Sequence, residues 1–160
     1  MITVKEFDRA LIQVAPAKGR RAALKPGGPR YRKLKNEALG ELIDGEWIRG
    51  QAAEMGIGVR SREVARVLAR LKKEAFGSGA QYRHFLRKFH YTRRDINEAV
   101  EVQLLAEKIQ ERIVAGIGSE TGQRRAVSKF VAEYEERWES RTVCAPDYLI
   151  DRCSNGPKPG

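Results

Sequence analysis

Apolar residues recur at spacings of three and four along almost the whole 160-residue chain, and no stretch alternates apolar with polar residues as a half-buried strand would. That regularity predicts an all-α protein of six helices, because 3.6 residues per turn align such positions into one stripe. In the first helix, Thr3 and Glu6 have capping-box spacing, Phe7, Ala10, Leu11 and Val14 form the stripe, and Pro16 ends it. The second runs from Pro29 to a stop at Gly56 and Gly58, with Leu34, Ala38, Leu42, Ile43, Trp47 and Ile48 inward. Its Gly40, Gly45 and Gly50 weaken it as an isolated helix and suggest close approach of a neighbour. Ser61 is the expected N-cap of a third helix, whose face is Val64, Val67, Leu68 and Leu71.

A short aromatic helix follows, with Tyr82, Phe85, Leu86 and Phe89 on one side. Thr92 and Asp95 then open a long helix whose stripe is Ile96, Val100, Leu104, Ile109 and Ile113. Gly116, Gly118, Ser119 and Gly122 interrupt the pattern before a last helix, on which Val127, Phe130, Val131, Tyr134 and Trp138 share a face. The stripes are narrow, so the helices must pack on one another. The basic, Pro- and Gly-punctuated stretch Pro16–Pro29 is expected to be a mobile loop, and the tail Asn155–Gly160 to be disordered.

The net charge of +10 points to a negatively charged partner: nucleic acid, a membrane surface or acidic polypeptide. The excess is local. Every charged residue from Lys18 to Lys35 is basic, and from Arg60 to Arg94 basic residues far outnumber Glu63 and Glu74. Arg62, Arg66, Arg70 and Lys73 fall near one side of the third helix, either as a solvated face or as a basic rim for a ligand.

No catalytic constellation is visible. His84 and His90 are six apart, which does not give the shared helix face of a metal pair, and ordinary partly buried histidines are expected. "KPGGPR" lacks the strand and the Lys-Ser/Thr of a phosphate-binding loop. Neither a metal nor a cofactor is expected. Cys144 and Cys153 stand alone near the C-terminus. They are either two free thiols or a disulfide. The disulfide is the expectation, closing a loop of about ten residues and implying an oxidising compartment. No signal peptide is visible and no apolar run is long enough to span a membrane.

The block from Ala38 to Ile113 resembles the N-terminal domain of the SurA and PrsA foldases. The resemblance is carried by Leu42-Ile43-Asp44, Gln51-Ala52, Gly56-Ile57, Ser61, Phe76-Gly77, Phe85, Thr92 and Glu107-Lys108, in that order, and by the opening "ITVKEFDRAL". In these foldases a parvulin-type prolyl isomerase often follows the N-terminal helices, and a final helix then returns to pack on them. Here Gly116–Gln123 stands at the insertion point, far too short for such a domain. The resemblance therefore implies a helical chaperone domain over residues 1–142 and a tail over 143–160. It further implies that unfolded polypeptide is bound outside the cytoplasm without isomerase chemistry.

Such binding needs an exposed apolar groove rimmed by charge. Met55, Tyr82, Phe85, Phe89 and Tyr91 are the candidate contacts, with core packing as the competing role for each. Other readings are a nucleic-acid-binding helical module, a prolyl isomerase, or an interaction module, monomeric or dimerised by exchange of its last helix.

Overall fold

The computed structural model describes residues 1–15 and 24–157. They form six α-helices: α1 (Val4–Val14), α2 (Pro29–Glu54), α3 (Ser61–Ala75), α4 (Gly79–Phe89), α5 (Arg93–Val114) and α6 (Glu120–Arg141). One 3-10 turn, Pro146–Tyr148, follows, and there is no strand among the described residues. The protein is all-α. The expected loop Pro16–Pro29 lies largely outside the described residues, as do the last three residues of the tail.

Local chemistry sets the helix ends. Thr3 and Glu6 close a capping box on α1, and Thr92 and Asp95 close another on α5, with the Thr92 N–H donating to Asp95 at 2.7 Å. Each box satisfies donors that the first turn leaves without a helical partner. On α3 the cap is Arg60 rather than Ser61: the Arg60 N–H donates to the Glu63 carboxylate at 2.9 Å, so Ser61 is the first helical residue. Ser119 caps α6 by accepting from the Gly122 N–H at 3.1 Å. The chain between α5 and α6 is thus residues 115–119, shorter than the glycines suggested. Gly116, at φ +79°, takes the left-handed turn there, which glycine adopts without strain.

α1 packs along α2, α2 on α5, and α5 on both α3 and α6. The main core lies between α1 and α2, where Phe7, Leu11, Leu34, Ala38, Leu39, Ile43 and Trp47 are buried. A second cluster joins α2 to α5 through Ala52, Leu105 and Ile109, with Met55, Ile57, Val59 and Phe130 against it. α1 also clamps the start of α5, where the Arg9 guanidinium and the Gln13 amide each reach Asp95 at 3.0 Å.

The returning helix α6 reaches α2 through long side chains. Tyr134 meets Trp47 edge-to-face at 6.1 Å and stacks with Phe130 at 5.8 Å, and Trp138 packs against the main core. Val131, expected on that stripe, is exposed instead. Beyond α6 the tail is part of the core: Ile150 and Cys153 are completely buried, and Tyr148 meets Phe7 edge-to-face at 5.1 Å. Asn155, assigned above to a disordered tail, folds back onto Cys144, its amide donating to the carbonyl at 2.9 Å and accepting from the N–H at 3.1 Å. Among the described residues no helix is long and apolar enough to cross a membrane.

Candidate functional site

Four of the five candidate contacts meet around α4. The Phe85 ring lies 5.4 Å from Phe76, 5.0 Å from Phe89 and 5.9 Å from Tyr91, and Phe76 contacts Tyr82 at 5.3 Å. The turn from α3 into α4 and the left-handed backbone of His90 after α4 bring these rings together. Phe85, Phe89 and Tyr91 are half-buried, while Tyr82 is buried beneath the Lys72 ammonium, 4.5 Å above its ring. Burial pushes the Tyr91 hydroxyl above its ordinary pKa, helped by the carboxylates of Glu41 and Asp95. Met55 does not join them, because it packs in the cluster of Ala52, Leu105 and Ile109.

Arg62, Arg66, Arg70 and Lys73 are all exposed on α3. Lys73 reaches a recess with Phe76, Tyr82 and Arg83, whereas Arg62 and Arg66 line another with Arg60 and Lys108. His84 and His90 are both exposed, not partly buried as their aromatic neighbours suggested. Among the described residues no group of three His, Cys, Asp or Glu side chains is placed to hold a metal ion.

A further apolar recess has no counterpart in the sequence reading. It lies between the start of α1, the middle of α2, the end of α6 and the tail, has a volume of about 470 Å³, and opens to solvent. Phe7, Leu39, Ile43 and Trp47 form its floor, and Met1, Val4 and Val143 its rim. The rim side chains are solvated, Val4 at 57% and Val143 at 77% exposure. Three segments distant in sequence make this wall, so no local motif could announce it.

Two polar arrangements hold that wall in place. The Trp47 indole N–H donates to the Thr142 hydroxyl at 2.7 Å, which in turn donates to the Trp138 carbonyl. Glu54 pairs with Arg141 at 2.6 Å and Arg137 at 3.3 Å, and the Arg141 hydrogen bond holds its carboxyl below the ordinary range. Cys144 and Cys153 form a disulfide with their Cα atoms 5.7 Å apart, so the expected pairing is present, and Cys144 stands on the recess wall. The bond ties the end of α6 to a residue buried against α1 and α2.

The arrangement offers apolar surface, half-buried aromatics and exposed cations. A family model described as SurA-like N-terminal domain matches residues 1–110. That span holds α1 to α4 and most of α5. The connection 115–119 leaves no room for an isomerase domain at the point where α6 returns, and these 160 residues contain none. No curated protein and no solved structure matches the chain. On the strength of the match over residues 1–110 and the all-α architecture, the chain belongs to the family of SurA-like N-terminal domains.

Proposed function

We propose that this chain is an extracytoplasmic chaperone-like module that binds unfolded or partly folded polypeptides without prolyl isomerase activity of its own. The carrying observation is the apolar recess of about 470 Å³ with Met1, Val4 and Val143 exposed at its rim. An open apolar wall with solvated aliphatic side chains suits extended segments of many sequences, because apolar burial is non-directional. Phe85, Phe89 and Tyr91 supply a second apolar contact on α4 and just after it, while Met55 serves packing. The disulfide supports an oxidising compartment.

The test is aggregation of a chemically denatured client diluted into buffer. The protein slows aggregation, and Val4→Asp together with Val143→Asp weakens that effect with the helical spectrum unchanged. Cis/trans exchange of a proline peptide, which takes tens of seconds or more uncatalysed, is not accelerated. Unaltered protection by the double variant would remove the recess from the account, and accelerated exchange would restore the isomerase reading.

The unpaired cations of α3 and α4 favour nucleic acid as a second reading. The disulfide weighs against it, because cytoplasmic partners are met in a reducing environment.

A further inference from the structure

We infer that the cationic face of α3 and the start of α4 is a docking surface for acidic polypeptide segments that also carry an apolar side chain. The inference rests on the polypeptide-binding reading and names the kind of client it favours. Between Arg60 and Arg94 the chain has eleven Lys and Arg against Glu63 and Glu74. Among the described residues, Arg94 alone of those eleven pairs with a carboxylate, that of Glu98, and Glu63 is taken by Lys108 at 2.7 Å. The cations on α6 are arranged differently: of the five, Arg124, Lys129, Arg137 and Arg141 each have a carboxylate partner. An uncompensated positive face raises the encounter rate of negatively charged partners and repels basic ones.

The shape narrows the partner. One recess at the start of α3 is bounded by Arg60, Arg62, Arg66 and the Glu63–Lys108 pair, with a volume of about 470 Å³. Another, of about 570 Å³, lies past its end between Lys72, Lys73, Arg83 and Arg93, with Phe76 and Tyr82 as its apolar floor. Arg62 in the first and Lys73 in the second stand on the same helix, about eleven residues and ~16 Å apart at ~1.5 Å per residue. About five extended residues cover that distance. Arg66 and Arg70 lie exposed along the way. Carboxylates at both ends of a short extended segment would meet cations, and an apolar side chain near one end would meet Phe76 and Tyr82. Two concave recesses cannot both be filled by a planar lipid surface, and the aromatic floor offers a phosphate nothing.

The experiment uses the full chain and dye-labelled peptides of about twelve residues that share the same Leu and Phe positions and differ in flanking Asp/Glu, Ser/Gln or Lys, at ~20 and ~200 mM salt. In fluorescence anisotropy the acidic peptide binds about tenfold or more tighter than the neutral one at low salt, and the gap narrows at high salt. Arg62→Gln, Arg66→Gln, Arg70→Gln and Lys73→Gln combined bring the acidic peptide's affinity down to that of the neutral one and abolish its salt dependence. All four side chains are exposed, so an unchanged far-UV spectrum accompanies that loss. Equal affinity for acidic and neutral peptides, or a preference surviving the quadruple change, overturns the inference while polypeptide binding stands. Tighter binding of oligo-deoxythymidine, or of phosphatidylcholine–phosphatidylserine vesicles, than of the acidic peptide also overturns it. Failure of all three peptides to bind sinks the polypeptide-binding reading itself.

Discussion

The indole N–H of Trp138 donates to the side-chain oxygen of Gln51 at 3.0 Å, and the same ring rests against the backbone of Gly50. Gln51, only 3% exposed, is the one buried polar residue among the described residues, and Trp138 is its partner on α6. This contact fastens the returning helix to α2.

Of the three evenly spaced glycines on α2, Gly50 alone makes the close approach. A Cβ there would overlap the Trp138 ring, whereas at Gly40 the nearest atom would be the Arg152 Nε at 3.7 Å, an ordinary contact. Gly50→Ala should therefore destabilise by about 1–3 kcal/mol despite the better helix propensity of alanine. Gly40→Ala should stabilise by about 0.5–1 kcal/mol. Urea midpoints of the two variants moving in the same direction would contradict the packing described.

Trp138→Ala removes a half-buried ring and leaves Gln51 without its donor. The expected loss is about 2–4 kcal/mol, near or below the ~3–5 of a fully buried aromatic because part of the ring is already in water. Glu136, exposed on the same helix, should change stability by less than about 0.5 kcal/mol when replaced by alanine. Equal midpoints for wild type and Trp138→Ala would make α6 an appendage.

The disulfide should matter to more than the tail. Reduction frees a loop whose closure contributes about 2.5–3 kcal/mol in the entropic account, and it loosens the hold on Ile150 and Cys153 in the α1–α2 core. The midpoint should fall on adding a dithiol reductant, and thiol titration of the unfolded, unreduced chain should find none. Two reactive thiols per chain would contradict the pairing.

Asp95 gives the stability a pH dependence of known sign. Burial pushes its carboxyl up, but the N–H and hydroxyl of Thr92 and the Arg9 guanidinium outweigh that and hold it below the ordinary range. A carboxyl depressed in the fold stabilises above its unfolded pKa, and the contribution fades as pH falls through the folded one. Asp95→Ala should cost about 1–2 kcal/mol at neutral pH, with the gap to wild type shrinking as the solution is acidified below the usual aspartate range. A gap independent of pH would remove the charge from the explanation.

What could be read from the sequence was what neighbouring residues decide. The Thr3–Glu6 and Thr92–Asp95 boxes are three-residue devices, and the stripe Phe7, Ala10, Leu11 faces α2 as its spacing requires. What failed depends on distant partners. Nothing local in "CAPDYLIDRCSNG" says that Ile150 will lie beside Phe7 and Leu39, or that Asn155 will bridge to Cys144. Met55 looked like a flexible contact and is packed against α5, because the turn after α2 brings Ile57 and Val59 back over the same cluster. The cations of α3 were legible as a face, since four positions on one helix suffice, but the recesses that flank them required the fold.

Equilibrium binding of a permanently unfolded polypeptide tests the central claim most directly. A labelled, reduced and alkylated protein should bind this chain saturably, be displaced by unlabelled unfolded chains of unrelated sequence, and be released by the Val4→Asp, Val143→Asp double change. The native form of the same protein should not compete. Saturable binding confined to the native form, or no binding of the unfolded chain at concentrations where this protein stays folded, would contradict the account.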